Sequence, residues 1–264
     1  MNRFVFLAGL PRTGSTVLGA LLNQHPFLYP TETSMVHRHI HEVSNFFVGE
    51  YPLYDTNDPN SPLWGIVRGI LQGAYEHVKG KVVIEKSRGW SWEIDILRKA
   101  LGEPPKFVAT VRSIPEIISS FILLANKIGD DSKIHTQLRE TGYPITTWNL
   151  SHFIWEKYID ADWQGFRQAY ETNTDLFHLI EYDDLVQKPE EVLNNFYSFI
   201  EVPPIKVHTD SLVRGAVEND DAFGLPGLHD IRSDLSRTSP PALEVLGEEC
   251  YNFWEAQRLE FWRG

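Results

Sequence analysis

Four short, largely apolar runs recur along the chain, at residues 4–7, 81–85, 107–111 and 177–181. None has the regular apolar–polar alternation of a half-exposed strand, so each predicts a strand buried on both faces of a sheet. Segments with the apolar spacing of helices separate these runs. The alternation predicts an α/β fold in which helices flank a parallel sheet on both faces. A length of 264 residues is compatible with one domain, which we expect to span residues 1–264.

The remaining segments are expected to be helices and loops. Apolar spacing predicts helices over residues 33–48, 63–78, 91–101, 115–126, 148–172 and 241–258. Residues 27–32 are expected to be a short extended piece and residues 127–146 a partly helical excursion. Residues 203–240 are rich in Gly, Pro, Asp and Ser, which predicts a loop that can fold over a ligand.

The first apolar run leads into a glycine-containing turn and then into a helix. Gly9 and Gly14 have the spacing of the glycines in the phosphate-binding motif G-x-x-x-x-G-K-[ST], but Ser15 stands where that motif has lysine. A strand, such a turn and a helix N-terminus together direct backbone N–H groups at one phosphate. The sequence therefore predicts an anion-binding loop, and the missing lysine argues against an ordinary ATPase or GTPase.

Two segments in this region, 11–16 (Pro-Arg-Thr-Gly-Ser-Thr) and 22–26 (Leu-Asn-Gln-His-Pro), resemble the sulfotransferases that use 3′-phosphoadenosine 5′-phosphosulfate (PAPS). The likeness is to the branch with arginine in the loop, which includes bacterial enzymes and the tyrosylprotein and carbohydrate sulfotransferases. It implies in-line transfer of a sulfuryl group to a hydroxyl or, less readily, an amine, without a metal ion. It also implies that the 5′-phosphosulfate is bound by Arg12, Thr13, Gly14, Ser15 and Thr16.

Basic residues follow three of the predicted strands. Arg12 follows the first strand, Lys86 the second and Arg112 the third, and the carboxyl ends of parallel strands share one edge of a sheet. The resemblance assigns Arg112 and Ser120 to the 3′-phosphate of PAPS, through a guanidinium fork and a hydroxyl. It places Tyr182, after the fourth strand, against the cofactor, although a packing role for this tyrosine is equally open.

The resemblance also points to a general base. The acceptor hydroxyl loses its proton as it attacks sulfur, and a positioned carboxylate can take that proton. Glu32 is the expected carboxylate, although the glutamate of tyrosylprotein relatives aligns more closely with Thr33. Cytosolic relatives use histidine instead, so His37 or His41 could replace Glu32.

Two further predictions concern negative charge on the donor. Lys86 is expected to neutralise charge on the oxygen that bridges sulfur and the departing phosphate, while Arg12 holds the phosphosulfate. The late segment 227–237 resembles the family's flexible cofactor clamp. Either Arg232 or Arg237 is the expected phosphate contact in that segment.

Three histidines, His37, His39 and His41, raise the question of a metal site. On a helix His37 and His41 share a face, and His39 does not. No third ligand is evident in the sequence. We therefore expect no metal and favour a role for these histidines in the acceptor pocket.

The charge balance restricts the partners. The net charge is −12, which excludes nucleic-acid binding through a broad basic face and disfavours a long polyanionic acceptor. A small-molecule, sugar or lipid hydroxyl is the expected acceptor.

The sequence shows no signal peptide, no membrane span of about 20 apolar residues and a single cysteine. We accordingly expect a soluble cytoplasmic protein of bacterial or viral origin.

Two other functions remain open at this point. A P-loop small-molecule kinase with ATP and Mg²⁺ needs a phosphate-binding lysine, which Ser15 does not supply. A nucleotide-binding protein without catalytic activity would keep the loop and lose turnover.

Overall fold

A five-stranded parallel sheet organises the structure, a computed structural model that describes residues 2–50, 55–78, 80–213, 215, 219–236 and 239–263. The strands follow the order β2-β3-β1-β4-β5 across the sheet. Their bounds are β1 (Arg3–Gly9), β2 (Leu28–Thr33), β3 (Val82–Lys86), β4 (Lys106–Val111) and β5 (Phe177–Glu181). The predicted α/β class and parallel sheet are confirmed.

Twelve α-helices connect or flank these strands within the described ranges. They are α1 (Ser15–Leu22), α2 (Val36–Asn45), α3 (Pro62–Ala74), α4 (Ile94–Leu101), α5 (Ile114–Ile128), α6 (Lys133–Glu140), α7 (Thr147–Ile154), α8 (Asp160–Thr172), α9 (Tyr182–Gln187), α10 (Pro189–Ile200), α11 (Ala242–Leu246) and α12 (Glu248–Ala256). The long helix expected over residues 148–172 is divided by a π-helical turn at Trp155–Ile159. The last expected helix is divided at Gly247, whose φ of 74° favours glycine.

Side chains of β1 alternate between two hydrophobic cores. Phe6 and Ala8 pack with residues of α2 to α8, α11 and α12 on one face of the sheet. Val5 and Leu7 pack with residues of α1, α9 and α10 on the other face. Successive strand residues point to opposite faces, so an uninterrupted apolar run serves both cores. Helices therefore cover both faces, as expected.

The extended piece expected at residues 27–32 joins the sheet as its edge strand, β2. Pro30 lacks an N–H donor, and edge strands are where a sheet tolerates proline. The pairing of β2 with β3 shifts register between Pro30 and Thr33, so that Thr33 lies opposite Lys86. The carboxyl end of β2 thereby reaches the edge at which β1, β3 and β4 also end.

Across the ranges given above, no helix combines the length and the apolar character that crossing a bilayer requires.

Candidate functional site

The loop between β1 and α1 contains three departures from ordinary backbone geometry. Gly9 has φ 102°, Arg12 φ 60° and Gly14 φ 96°. The left-handed region is open to glycine and strained for arginine, and such strain is characteristic of functional loops. Helix α1 begins directly after Gly14, so its first N–H groups open towards the loop. The strand, turn and helix therefore have the arrangement predicted for this loop, and its binding of an anion remains a prediction.

Thr13 anchors this loop from the inside. Its side chain is fully buried, and its hydroxyl donates to the backbone carbonyl of Leu10 at 2.9 Å. The same hydroxyl lies 2.7 Å from the Thr110 hydroxyl at the end of β4. Thr13 therefore fixes the loop to the sheet and does not line the cavity described next.

A cavity of about 600 Å³ opens at the carboxyl ends of β1, β3 and β4. Sequence-predicted residues supply much of its wall: Arg12, Gly14, Ser15, Thr16, Lys86, Arg112, Ser120, Tyr182 and Arg232. Arg237 lies outside the described residues. The structure thus brings residues from five separate parts of the chain to one space, at the sheet edge where open parallel sheets bind ligands.

Arg12 crosses the cavity and contacts two elements. Its Nε donates to Ser120 Oγ on α5 at 3.1 Å, and its guanidinium also donates to the backbone carbonyl of Leu228. Burial, and next the nearby guanidinium of Arg112, lowers the pKa of Arg12 from its ordinary value to about 10. Arg12 keeps its charge at neutral pH. Burial makes the larger contribution to this shift and repulsion from Arg112 the smaller one, and an anion between the two guanidinium groups would relieve that repulsion.

Arg112 contacts both Glu116 and the ring of Tyr182. Its Nη2 donates to Glu116 Oε2 at 2.7 Å, and its guanidinium lies 4.7 Å from the centre of the Tyr182 ring. The Nε of Arg112 is buried and makes no hydrogen bond to any residue that the structure describes. Buried donors are normally satisfied, so this atom is suited to a ligand oxygen.

Lys86 brings an ammonium group to the loop that lacks its own lysine. Its Nζ donates to Thr16 Oγ1 at 3.2 Å, and only 9% of the residue is exposed. Backbone bonds fix its position, since its N–H donates to Thr31 Oγ1 and its carbonyl accepts from the N–H of Ser34, each at 2.9 Å. The positive charge missing at Ser15 is therefore supplied from the neighbouring strand.

Glu32, the predicted general base, lies beside the cavity wall and not in it. Thr33 lines the cavity, and Glu32, the preceding residue, is not part of the lining. His37 and His41 also lie outside the lining and turn instead to Glu93, whose Oε1 is 2.6 Å from His41 Nδ1. The base assignment remains a prediction.

Glu85 points away from this cavity. It is fully buried and accepts a hydrogen bond from the Tyr75 hydroxyl at 3.0 Å and another from the Trp90 indole. Burial raises the pKa of its carboxyl above the usual 4.5. Successive strand residues point to opposite faces, so Glu85 faces the core while its neighbour Lys86 lines the cavity.

Sequence reasoning did not identify the apolar side of the cavity. That side comes from α5, from the π-helical turn and from the loop predicted over residues 203–240 (the late loop), through Phe121, Leu124, Tyr158, Leu225 and Leu228. Helical apolar residues look alike in sequence whether they face a core or a cavity. Only the packing of α5 against the late loop distinguishes them.

The fold and the loop define an α/β protein of the phosphate-binding-loop type. A sulfotransferase family profile matches residues 5–206, more than half of the chain. The chain belongs to the sulfotransferase family.

Solved structures agree at the level of the fold. The chain is similar to a sulfotransferase from Alicyclobacillus acidocaldarius, with a TM-score of 0.50, 15% identity, and coverage of 98% of this chain and 95% of that one. It also matches the sulfotransferase domain of the Synechococcus PCC 7002 olefin synthase, with a TM-score of 0.47, 19% identity, and coverage of 97% and 94%. The likeness in fold rests on the Alicyclobacillus acidocaldarius structure. Comparison with curated protein sequences gave no match.

Proposed function

We propose that this protein transfers a sulfuryl group from PAPS to the hydroxyl, or less readily the amine, of a small-molecule, sugar or lipid acceptor. In this reaction the acceptor oxygen attacks sulfur, and the bond from sulfur to the bridging oxygen breaks. The acceptor proton passes to a base, and adenosine 3′,5′-bisphosphate leaves. One observation carries the proposal: Arg12, Lys86 and Arg112 meet around one cavity in a chain of net charge −12.

The 5′-phosphosulfate fits the loop end of the cavity. Arg12 stands there with the N-terminus of α1, and Ser15 and Thr16 supply hydroxyl and backbone donors. A helix N-terminus and a guanidinium both favour a multiply charged anion. Binding a phosphosulfate beside Arg12 would offset the repulsion between Arg12 and Arg112.

The 3′-phosphate fits the Arg112 end. Arg112 Nε is buried and unsatisfied among the described residues, while Ser120 Oγ stands at the same wall. The ring of Tyr182 covers one face of the Arg112 guanidinium, which limits the direction in which this residue can bind. Arg232 adds a further positive charge from the late loop.

Catalysis would come from positioning and from charge neutralisation. Lys86 would neutralise the charge that develops on the bridging oxygen as its bond to sulfur breaks, and the position of Lys86 Nζ beside Thr16 of the loop supports this role. Glu32 remains the proposed base, next to Thr33 of the cavity lining. Sulfuryl transfer of this kind has the same requirements as phosphoryl transfer, in which the protein adds little covalent chemistry.

Calorimetry with purified protein tests the donor. We expect adenosine 3′,5′-bisphosphate to bind more tightly than ADP, with no gain from Mg²⁺. Tighter binding of ADP with Mg²⁺ would instead indicate the kinase. A panel of hydroxyl and amine acceptors with PAPS then tests turnover, and binding without any transfer would indicate a non-catalytic nucleotide-binding protein.

A further inference from the structure

Outside the cavity, two histidines and one glutamate converge on a single point. His37 and His41 lie one turn apart on α2, and Glu93 immediately precedes α4. One ligand atom from each of the three residues lies within 4.8 Å of the others. The sequence suggested the two histidines as a pair, but Glu93 is 52 residues beyond His41 and only the fold brings it there.

We propose that His37, His41 and Glu93 bind one divalent transition-metal ion, with zinc the best match. Two imidazole nitrogens and one carboxylate oxygen form a donor set that Zn²⁺ accepts, leaving a fourth position for water. Zinc–nitrogen and zinc–oxygen distances place neighbouring ligand atoms about 3.3 Å apart in a tetrahedron. Glu93 Oε1 lies 2.6 Å from His41 Nδ1 and 3.7 Å from His37 Nε2, distances that bracket this spacing.

An unsatisfied buried atom supports the site independently. His37 Nε2 is shielded from solvent and makes no hydrogen bond within the described part of the chain. Glu93 Oε1, 3.7 Å away, is beyond hydrogen-bond distance. A buried ring nitrogen without a hydrogen-bond partner is uncommon in folded proteins and calls for an explanation such as an ion.

The surroundings fix the two imidazole rings. A Cβ on Gly89 would lie 2.0 Å from His37 Cε1, so glycine at this position leaves room for the ring. Asn45 Nδ2 lies 2.9 Å from His41 Nε2. With a metal ion on Nδ1, a half-turn rotation of this amide would present its oxygen to the Nε2–H, so that Asn45 accepts this proton as outer partners of metal-bound histidines do.

The ion would join α2 to the segment that ends at Glu93. This segment contains Ser87 and Arg88, both of which line the cavity. Gly89, in contact with His37, follows them directly. Metal binding would therefore stabilise the part of the cavity wall that Ser87 and Arg88 form. The metal site does not depend on which donor the cavity binds.

The test uses full-length protein without an affinity tag, treated with a chelator and then titrated with Co²⁺ or Zn²⁺. We expect one Co²⁺ per chain, the visible absorption of four- or five-coordinate cobalt, and displacement by Zn²⁺. At a metal concentration 100 times the Kd, the melting temperature should rise by roughly 5–10 °C. Absence of saturable binding, or only the spectrum of six-coordinate cobalt, would overturn the proposal.

Variants locate the site. His41→Gln and Glu93→Gln should each weaken Co²⁺ binding by about 100-fold or more, since replacing even an outer partner of a metal ligand lowers metal affinity about 10–100-fold. His39→Gln is the matched control, because His39 is exposed on the same helix and lies off this face. The side chain of His41 is 47% exposed, so its replacement should fold even if that of buried Glu93 does not. Equal effects of His41→Gln and His39→Gln would contradict the proposed site.

Discussion

Tyr182 lies directly against Gly14, at the point where the anion-binding loop becomes helix α1. A Cβ at Gly14 would lie only 2.4 Å from Tyr182 Cδ2, and the glycine has φ 96°. The guanidinium of Arg112 lies over the same tyrosine ring. Tyr182 therefore links the loop expected to bind the 5′-phosphosulfate with the arginine expected to bind the 3′-phosphate.

Replacing Gly14 by alanine should disrupt this link. Both the positive φ and the contact with Tyr182 oppose a side chain, so we expect Gly14→Ala to cost about 1–3 kcal/mol of stability. Affinity for adenosine 3′,5′-bisphosphate should fall as well. Denaturant unfolding and calorimetry measure the two effects.

Gly19→Ala is the control for this substitution. Gly19 lies within α1, and a Cβ added there would have no neighbouring atom within 4 Å among the described residues. Alanine in a helix interior should raise stability by roughly 0.5–1 kcal/mol. If Gly14→Ala were as harmless as Gly19→Ala, the close approach of Tyr182 would have no energetic consequence.

Lys86→Ala should reduce the rate of transfer more than the binding of the donor product. A lysine that neutralises charge on the leaving oxygen acts mainly in the transition state, and removing one such group typically costs about 100- to 1000-fold in kcat. Affinity for adenosine 3′,5′-bisphosphate should change by much less. Equal losses in kcat and in binding would show that Lys86 stabilises the bound ground state as well as the transition state.

The pH dependence of activity tests the base. If Glu32 accepts the proton, kcat/KM should rise with pH through the pKa of one carboxyl, and Glu32→Gln should remove that limb. Thr33→Ala, at the adjacent residue, is the control and should keep the limb. If the limb persisted in Glu32→Gln, the proton would go to another group.

Buried Glu85 makes stability depend on pH. Its pKa is raised in the folded protein above 4.5, the ordinary value, so the folded state holds this proton more tightly than the unfolded state. The contribution is fully present below pH 4.5 and is lost as pH rises through the folded pKa. The wild type should therefore lose stability relative to Glu85→Gln as pH rises above about 4.5.

Urea unfolding of both proteins across this range measures the difference. Glu103→Gln, at an exposed loop position, should show no such trend. A wild-type advantage over Glu85→Gln that grows with pH would contradict the assignment.

Local sequence was sufficient to predict most of the fold. Runs such as 107–111 are apolar on both faces, and this pattern is characteristic of a buried parallel strand. The polar residues of β2 and its Pro30 do not show that pattern, so the sequence predicts only an extended piece there. The π-helical turn at Trp155–Ile159 interrupts a helix whose apolar spacing continues across it, and no local pattern marks the break.

The site was predictable where a strand end carries the chemistry and not where the fold joins distant groups. Arg12, Lys86 and Arg112 each follow an apolar run. Because the carboxyl ends of parallel strands share one edge of a sheet, the sequence predicts that these residues lie close together. The contact of Lys86 with Thr16 and the approach of Glu93 to His41 depend on pairings 70 and 52 residues apart. Local sequence patterns do not record such pairings.

The most direct test of the central claim is whether Arg112 makes the protein select a 3′-phosphorylated nucleotide. Calorimetry should compare adenosine 3′,5′-bisphosphate with adenosine 5′-phosphate in the wild type, in Arg112→Ala and in the exposed-site control Arg167→Ala. The wild type and the control should prefer the bisphosphate by about 100-fold or more, given the strength of charged hydrogen bonds, and Arg112→Ala should lose most of that preference. Equal affinities in the wild type, or a preference unchanged in Arg112→Ala, would contradict the account.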